Sequence, residues 1–180
     1  VLVGGGKHVN GVVDVGDLGC NSCHGGAENA APPVSTTGSS DPSDVAVGAH
    51  QAHVRETFLH AAYACSECHV VPSDPKDGAH MDASPAELTF GGPVGTAFGA
   101  VPSWDPVTRT CAGTHCHGAT VSGGTTVTPD WVGGVTWCES CHDFPPALPH
   151  VNDPNCVTCH PLPGDVLPST HVNGVVELLP

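Results

Sequence analysis

"DVAVGAHQAHVRETFLHAAYACSECH" (residues 44–69) brings His50, His53, His60 and His69 together with Cys65 and Cys68 in one short reach of chain. Asp44 stands at a plausible helix N-cap. The Ala-rich sequence behind it predicts the chain's one substantial helix, running from Asp44 into Cys65–His69. His50 and His53, three apart, share a face of that helix, and His60, seven beyond His53, lies near it. The closing Cys65-Ser-Glu-Cys68-His69 decides the rest, because it recurs.

All ten Cys fall into five clusters, and each cluster ends in His. Four have two residues between the thiols: Cys20 and Cys23 with His24, Cys65 and Cys68 with His69, Cys138 and Cys141 with His142, Cys156 and Cys159 with His160. The fifth, Cys111 and Cys116 with His117, has four. C-x-x-C-H is the attachment signature of a c-type haem. Two thiols one short turn apart reach the two vinyl groups of a single porphyrin, and the His that follows lies under the ring as proximal iron ligand. Four intervening residues serve if the extra two bulge outward, which leaves His115 a bystander. Paired Cys with nearby His also suits zinc, and ten Cys in a secreted chain suit disulfides. Neither explains a His directly after the second Cys in every cluster. Zinc ribbons also pair their half-sites, which calls for an even number of clusters. Five covalently bound haem c groups are the expectation.

Composition points the same way. Aromatics make up 4%, Met81 is the single Met, and there are 23 Gly and 18 Pro, close to the Gly/Pro level of low-complexity chains. A chain with so little core-building material needs cofactors or cross-links to fold. The expected fold class is therefore mostly coil with few short α-helices, a compact multihaem cytochrome in which the haems form the core. It is read as a single pentahaem domain over residues 1–180, with an N-terminal haem module at 1–44. The stretches 29–44, 119–134 and 161–169, rich in Pro, Gly, Ser and Thr, read as loops wrapped over rings. Short helices are expected at the C-x-x-C-H sites, and Trp104, Trp131 and Trp137 as packing against porphyrin.

Only Lys7, Arg55, Lys76 and Arg109 oppose 18 carboxylates, for a formal charge of −14. Phosphate contacts and a polybasic patch are out of reach, so nucleic acid and anionic membrane surfaces are excluded as partners. No apolar run approaches a membrane span. No signal peptide is visible, so the chain reads as an exported, mature product, extracellular or periplasmic. A Ca²⁺ or Mg²⁺ ion held by carboxylates and propionates would suit the charge, though no loop motif specifies a site.

Two strong protein ligands on an iron favour electron transfer, and an open position permits chemistry. With one Met against five irons, bis-histidine ligation is the economical solution. The candidates share a phrase: His8 (HVNG), His80 (HMDA), His150 (HVND) and His171 (HVNG) are each followed by an apolar residue and then Asn or Asp. Such a local turn can hold the chain beside the imidazole. The bland alternative is an Asn-Gly hairpin with an exposed His. His50 and His53 complete the candidate distal set, with His60 in reserve.

The phrases "VGAHQAHV", "ACSECHVVP", "AELTFGG", "TCAGTHCHGA", "PDWVGG", "TWCESCHDFPP" and the closing "CVTCH" with "HVNGVV" resemble the CxxxxCH/CxxCH multihaem c-type cytochromes of metal-reducing bacteria. That family includes subunits of extracellular cytochrome filaments, or nanowires. The resemblance covers 45–176 and defines a CxxxxCH-family region over 45–180; it thins out before residue 45. It implies electron transport outside the cytoplasmic membrane, to redox partner proteins or extracellular acceptors, and it supports His50, His53, His80, His150 and His171 as distal ligands. The phrase HVNGVV at 8–13 has no C-x-x-C-H before it. His8 then serves either its nearest haem, at Cys20 and Cys23, or a haem of a neighbouring copy. The second option makes a head-to-tail contact, which builds open filaments. The alternatives are a monomeric periplasmic shuttle and a small multihaem reductase with one open haem. With all five motifs ending in His, the chain is expected to be an electron carrier and not an enzyme.

Overall fold

The geometry around the second Cys-x-x-Cys-His motif sets the style of the molecule, in which short turns are pinned by main-chain hydrogen bonds from distant loops. A computed structural model of the chain describes residues 19–32, 34–57, 59–75, 77, 78, 80, 86–118, 123–134, 136–143, 151, 153 and 155, without the side chains of Phe98 and Cys138. Both HVNGVV phrases, His8, Met81, His150, His171, the cluster of Cys156, Cys159 and His160, and the 161–169 loop lie outside the described residues.

Regular structure is sparse, as composition predicts. Helix α1 covers His50–Val54, α2 Gly92–Thr96 and α3 Cys138–Cys141, with single 3-10 turns at Cys20–Ser22, Cys65–Glu67 and Ala97–Gly99. Three of the cysteine clusters thus carry the expected short helix. Cys111 instead sits on a strand: β1 (Ser103–Asp105) pairs antiparallel with β2 (Thr110–Ala112), Trp104 opposite Cys111. Asp105 closes that hairpin by accepting the Val107 N–H at 2.8 Å.

The long helix expected over 44–69 is not formed; only His50–Val54 is α-helical, with a separate 3-10 turn at Cys65–Glu67. Asp44 does cap, with its Oδ1 accepting the Ala46 N–H at 2.9 Å, but what it caps is a turn. Gly48 follows at φ +39, outside the right-handed helical region, and the Trp131 indole occupies the space where a Cβ would stand. At the other end Arg55 is extended (φ −100, ψ 142) and the chain returns on itself. The Thr57 N–H reaches the His60 carbonyl and the Tyr63 N–H reaches the His53 carbonyl, both at 2.9 Å. Alanine content is a weak preference, and tertiary contacts override it here. His60 approaches His53 by this return and not along a helix face.

Segment 86–96 is sewn to the second motif. The Thr89 N–H donates to the Cys68 carbonyl at 2.9 Å and the Gly91 N–H to the Glu67 carbonyl at 2.8 Å. The Glu67 carboxylate then accepts the Val94 N–H at 3.2 Å. Residues 125 and 126 repeat the device on α3, where the Thr125 N–H reaches the Glu139 carbonyl at 2.8 Å and the Thr126 N–H the Ser140 carbonyl at 3.0 Å. The start of the described chain is tied in by Gln51, whose amide pairs with the Asn29 amide at 3.0 and 3.2 Å and bonds the Ala31 carbonyl at 2.9 Å.

What is missing is an ordinary interior. Among the described residues the buried hydrophobic side chains are Ala31 and Val47, at 7% and 4% exposure. Val70, Val101 and Val107 stand in the open. Among those residues no helix is long and apolar enough to cross a membrane.

Candidate haem-ligating histidine pairs

An imidazole that binds a metal through one nitrogen usually donates the other ring N–H to a carbonyl or carboxylate, which sets its tautomer and its aim. Seven of the described histidines have that outer bond to a main-chain carbonyl. His24 Nδ1 lies 2.6 Å from the Ala30 oxygen, His69 Nδ1 2.9 Å from Glu87 and His142 Nδ1 2.7 Å from Asp143. His50 Nδ1 is 2.8 Å from the Val47 oxygen, His53 Nδ1 2.8 Å from Ala49, His60 Nδ1 2.7 Å from Ala61 and His80 Nδ1 3.1 Å from Pro75. In His24, His50, His53, His60, His69 and His80 that bond leaves Nε2 as the nitrogen that could ligate a metal.

The local fold makes these bonds possible. After His24, Gly25 turns at φ +85, the Gly26 N–H donates to the Asn29 carbonyl at 2.9 Å, and the Ala30 carbonyl is brought under the ring. A Cβ on Gly25 would stand 2.6 Å from Ala30 main-chain atoms. Gly25→Ala is therefore expected to cost about 1–3 kcal/mol through backbone strain and overpacking, read as a lower denaturation midpoint.

The rings come together in pairs. His50 and His69 have centroids 6.3 Å apart with planes at 21°. His53 and His117 are 6.1 Å apart at 66°, and His24 and His80 are 6.3 Å apart at 65°. Each pair joins a histidine that ends a cysteine cluster to one from the sequence-predicted distal set. Two imidazoles on opposite sides of one metal, with bonds of about 2 Å and ring centres about 1 Å behind each nitrogen, have centroids about 6 Å apart. The residues present therefore fit a bis-histidine haem at the first, second and third clusters. His60 is a second neighbour of His53, at 6.5 Å, but its ring lies against Tyr63 at 5.1 Å and 24°. His115, inside the bulge of the longer cluster, has its main-chain N–H on the Val94 carbonyl at 3.1 Å.

Burial favours the neutral form of three of these imidazoles, His50, His53 and His117. Burial lowers the pKa of His50 and of His53 against the opposing pull of their carbonyl bonds. It brings His117 down to about 4, with His53 and His60 adding to the effect. A neutral ring is the form that ligates. The thiols also register their neighbours. Burial raises Cys111 to about 11, and nearby Cys68 adds to the rise; burial raises Cys116, with Cys141 contributing. The second cluster thus adjoins the third, and the third adjoins the fourth. His24 is close enough to His50 to contribute to its lowering, which sets the first cluster beside the second.

The seven cysteines whose side chains are described, Cys20, Cys23, Cys65, Cys68, Cys111, Cys116 and Cys141, form no disulfide with one another. Among the described residues no three His, Cys, Asp or Glu side chains converge as a metal cluster, and an axial pair of imidazoles needs only two. Trp131 packs on the ligand candidates themselves, 4.8 Å from His50 and 5.5 Å from His53, while Trp137 is 57% exposed. The supporting carbonyls of Ala30 and Glu87 escape sequence reading, although AELTFGG marks the second of them. Comparison with known proteins found no matching family model, no matching curated protein and no matching solved structure.

Proposed function

We propose that the chain is a pentahaem c-type cytochrome that transfers electrons through bis-histidine haems and transforms no substrate. The observation that carries this reading is the separation of 6.1–6.3 Å between each of three cluster histidines and a distal candidate, with Nδ1 of five of the six already committed to a carbonyl. Haem c would supply a one-electron ferric/ferrous couple, and two imidazole ligands hold its potential below that of a Met/His site. The protein's part is to aim Nε2 from both faces, to anchor each ring through two thioethers and to set neighbouring sites close together. In this reading the rings provide the apolar interior that Ala31 and Val47 cannot.

Carbon monoxide tests it against the reductase reading. Reduced protein with every iron held by two imidazoles is expected to keep its spectrum under carbon monoxide; a shifted Soret band would reveal an open iron and favour the reductase.

The proposal extends to an exported protein that assembles head to tail into a filament, with redox proteins or extracellular acceptors as partners. Its support is that His80 faces His24 at 6.3 Å, a position that His8 would otherwise take in its own chain. The His8→Ala variant is expected to lose assembly in sedimentation or negative-stain microscopy. An unchanged assembly state with all irons six-coordinate would return the protein to a monomeric shuttle or to contacts that do not use His8.

A further inference from the structure

We propose that Trp131 is a positioning residue that sets the orientation of the His50 and His53 imidazoles together, and so couples the second and third haem sites. The inference rests on the functional reading above and goes beyond it by assigning a role to a side chain that touches no iron.

The geometry is that of a wedge held at three points. The Trp131 main-chain N–H donates to the Arg109 carbonyl at 2.8 Å. Its indole N–H donates to the Val45 carbonyl at 2.8 Å. Beside it, Asp130 is clasped by the Arg109 guanidinium at 2.7 and 3.3 Å and accepts the Val132 N–H at 3.0 Å. Trp104, on β1, meets the indole edge-on at 6.4 Å. Main chain, indole N–H and the Trp104 contact together hold the ring at three places.

The two imidazoles need such a wedge. Each ring is held at its Nδ1 edge, by Val47 and by Ala49, which leaves its Nε2 edge the freedom to tilt. The indole closes that freedom from one side for both. It stands nearly perpendicular to His50, at 84° and 4.8 Å, and tilted by 31° to His53 at 5.5 Å. The turn that launches α1 is shaped around it, since a Cβ on Gly48 would fall inside the indole. The planes of the two pairs differ accordingly, near-parallel for His50 with His69 and crossed for His53 with His117. Low-spin ferric haems report that angle directly in their g-values.

The test is electron paramagnetic resonance on the oxidised holoprotein with its full haem complement. His50→Ala and His53→Ala each remove one low-spin signal and so assign the second and third haems. Trp131→Ala is then expected to shift those two signals together and to leave the others in place. Trp131→Phe, which keeps a ring but loses the bond to Val45, gives a smaller shift of the same two. Native signals in Trp131→Ala, or an equal disturbance of every haem, would overturn the role, because a general loosening of the fold disturbs every site alike. A native chain without haem signals would instead sink the functional reading.

Discussion

Prepared without covalent haem, the chain is expected to show no cooperative unfolding transition. The described residues bury only Ala31 and Val47 among hydrophobic side chains, together worth about 3 kcal/mol. The backbone entropy of a handful of ordered residues already exceeds that. The hydrogen bonds are numerous, yet they tie loops to loops, and each contributes little net free energy in competition with water. Serine in place of the ten cysteines gives the material to test. Near-ultraviolet circular dichroism and calorimetry should then show no fixed tertiary structure, and limited proteolysis should digest the variant far faster than the holoprotein. A sharp calorimetric transition in the cysteine-free chain would mean that the polypeptide supplies its own interior.

Removing one imidazole of a pair is expected to open one iron and one only. His50→Ala should open the haem at Cys65 and Cys68, because His50 faces His69 at 6.3 Å. His53→Ala should open the one at Cys111 and Cys116, and His80→Ala the one at Cys20 and Cys23, since those rings face His117 and His24. Each variant should take up about one carbon monoxide per chain where the native protein takes none, and should show one high-spin ferric signal. His50→Met keeps six-coordination and should raise the potential of the same haem, since thioether ligation favours the ferrous state. His60→Ala separates pairing from mere proximity: its ring is 6.5 Å from His53 but stacked on Tyr63, so no iron should open. Carbon monoxide uptake by His60→Ala, with none by His53→Ala, would reverse the assignment at the third site.

The motifs made much of this site legible. A His that must follow two thiols is fixed by covalent chemistry, which leaves a local pattern, and so do the apolar-then-Asn/Asp signature of His80 and the spacing of His50 and His53. The pairing of one ring with another was not legible, because it depends on which loops cross. His80 meets His24 only because the turn at Asp77, whose carbonyl accepts the His80 N–H at 3.0 Å, and the Gly25 turn bring two remote segments together. The sparse secondary structure followed from Gly and Pro content. The long helix over 44–69 did not form, because propensity is local and Gly48 answers to Trp131, far along the chain. Trp131 was read as packing against porphyrin; that it also stands against His50, His53 and Trp104 was marked by no local pattern.

On the proposed reading, macrocycles bound through thioethers and held between imidazoles would make both the interior and the conduction path. Intact mass spectrometry of the denatured, purified chain, read beside its visible spectrum, tests this most directly. Five haem equivalents above the polypeptide mass, retained after denaturation and accompanied by a Soret band, are the predicted result. A mass equal to the amino acids alone, with no Soret absorption, would contradict it.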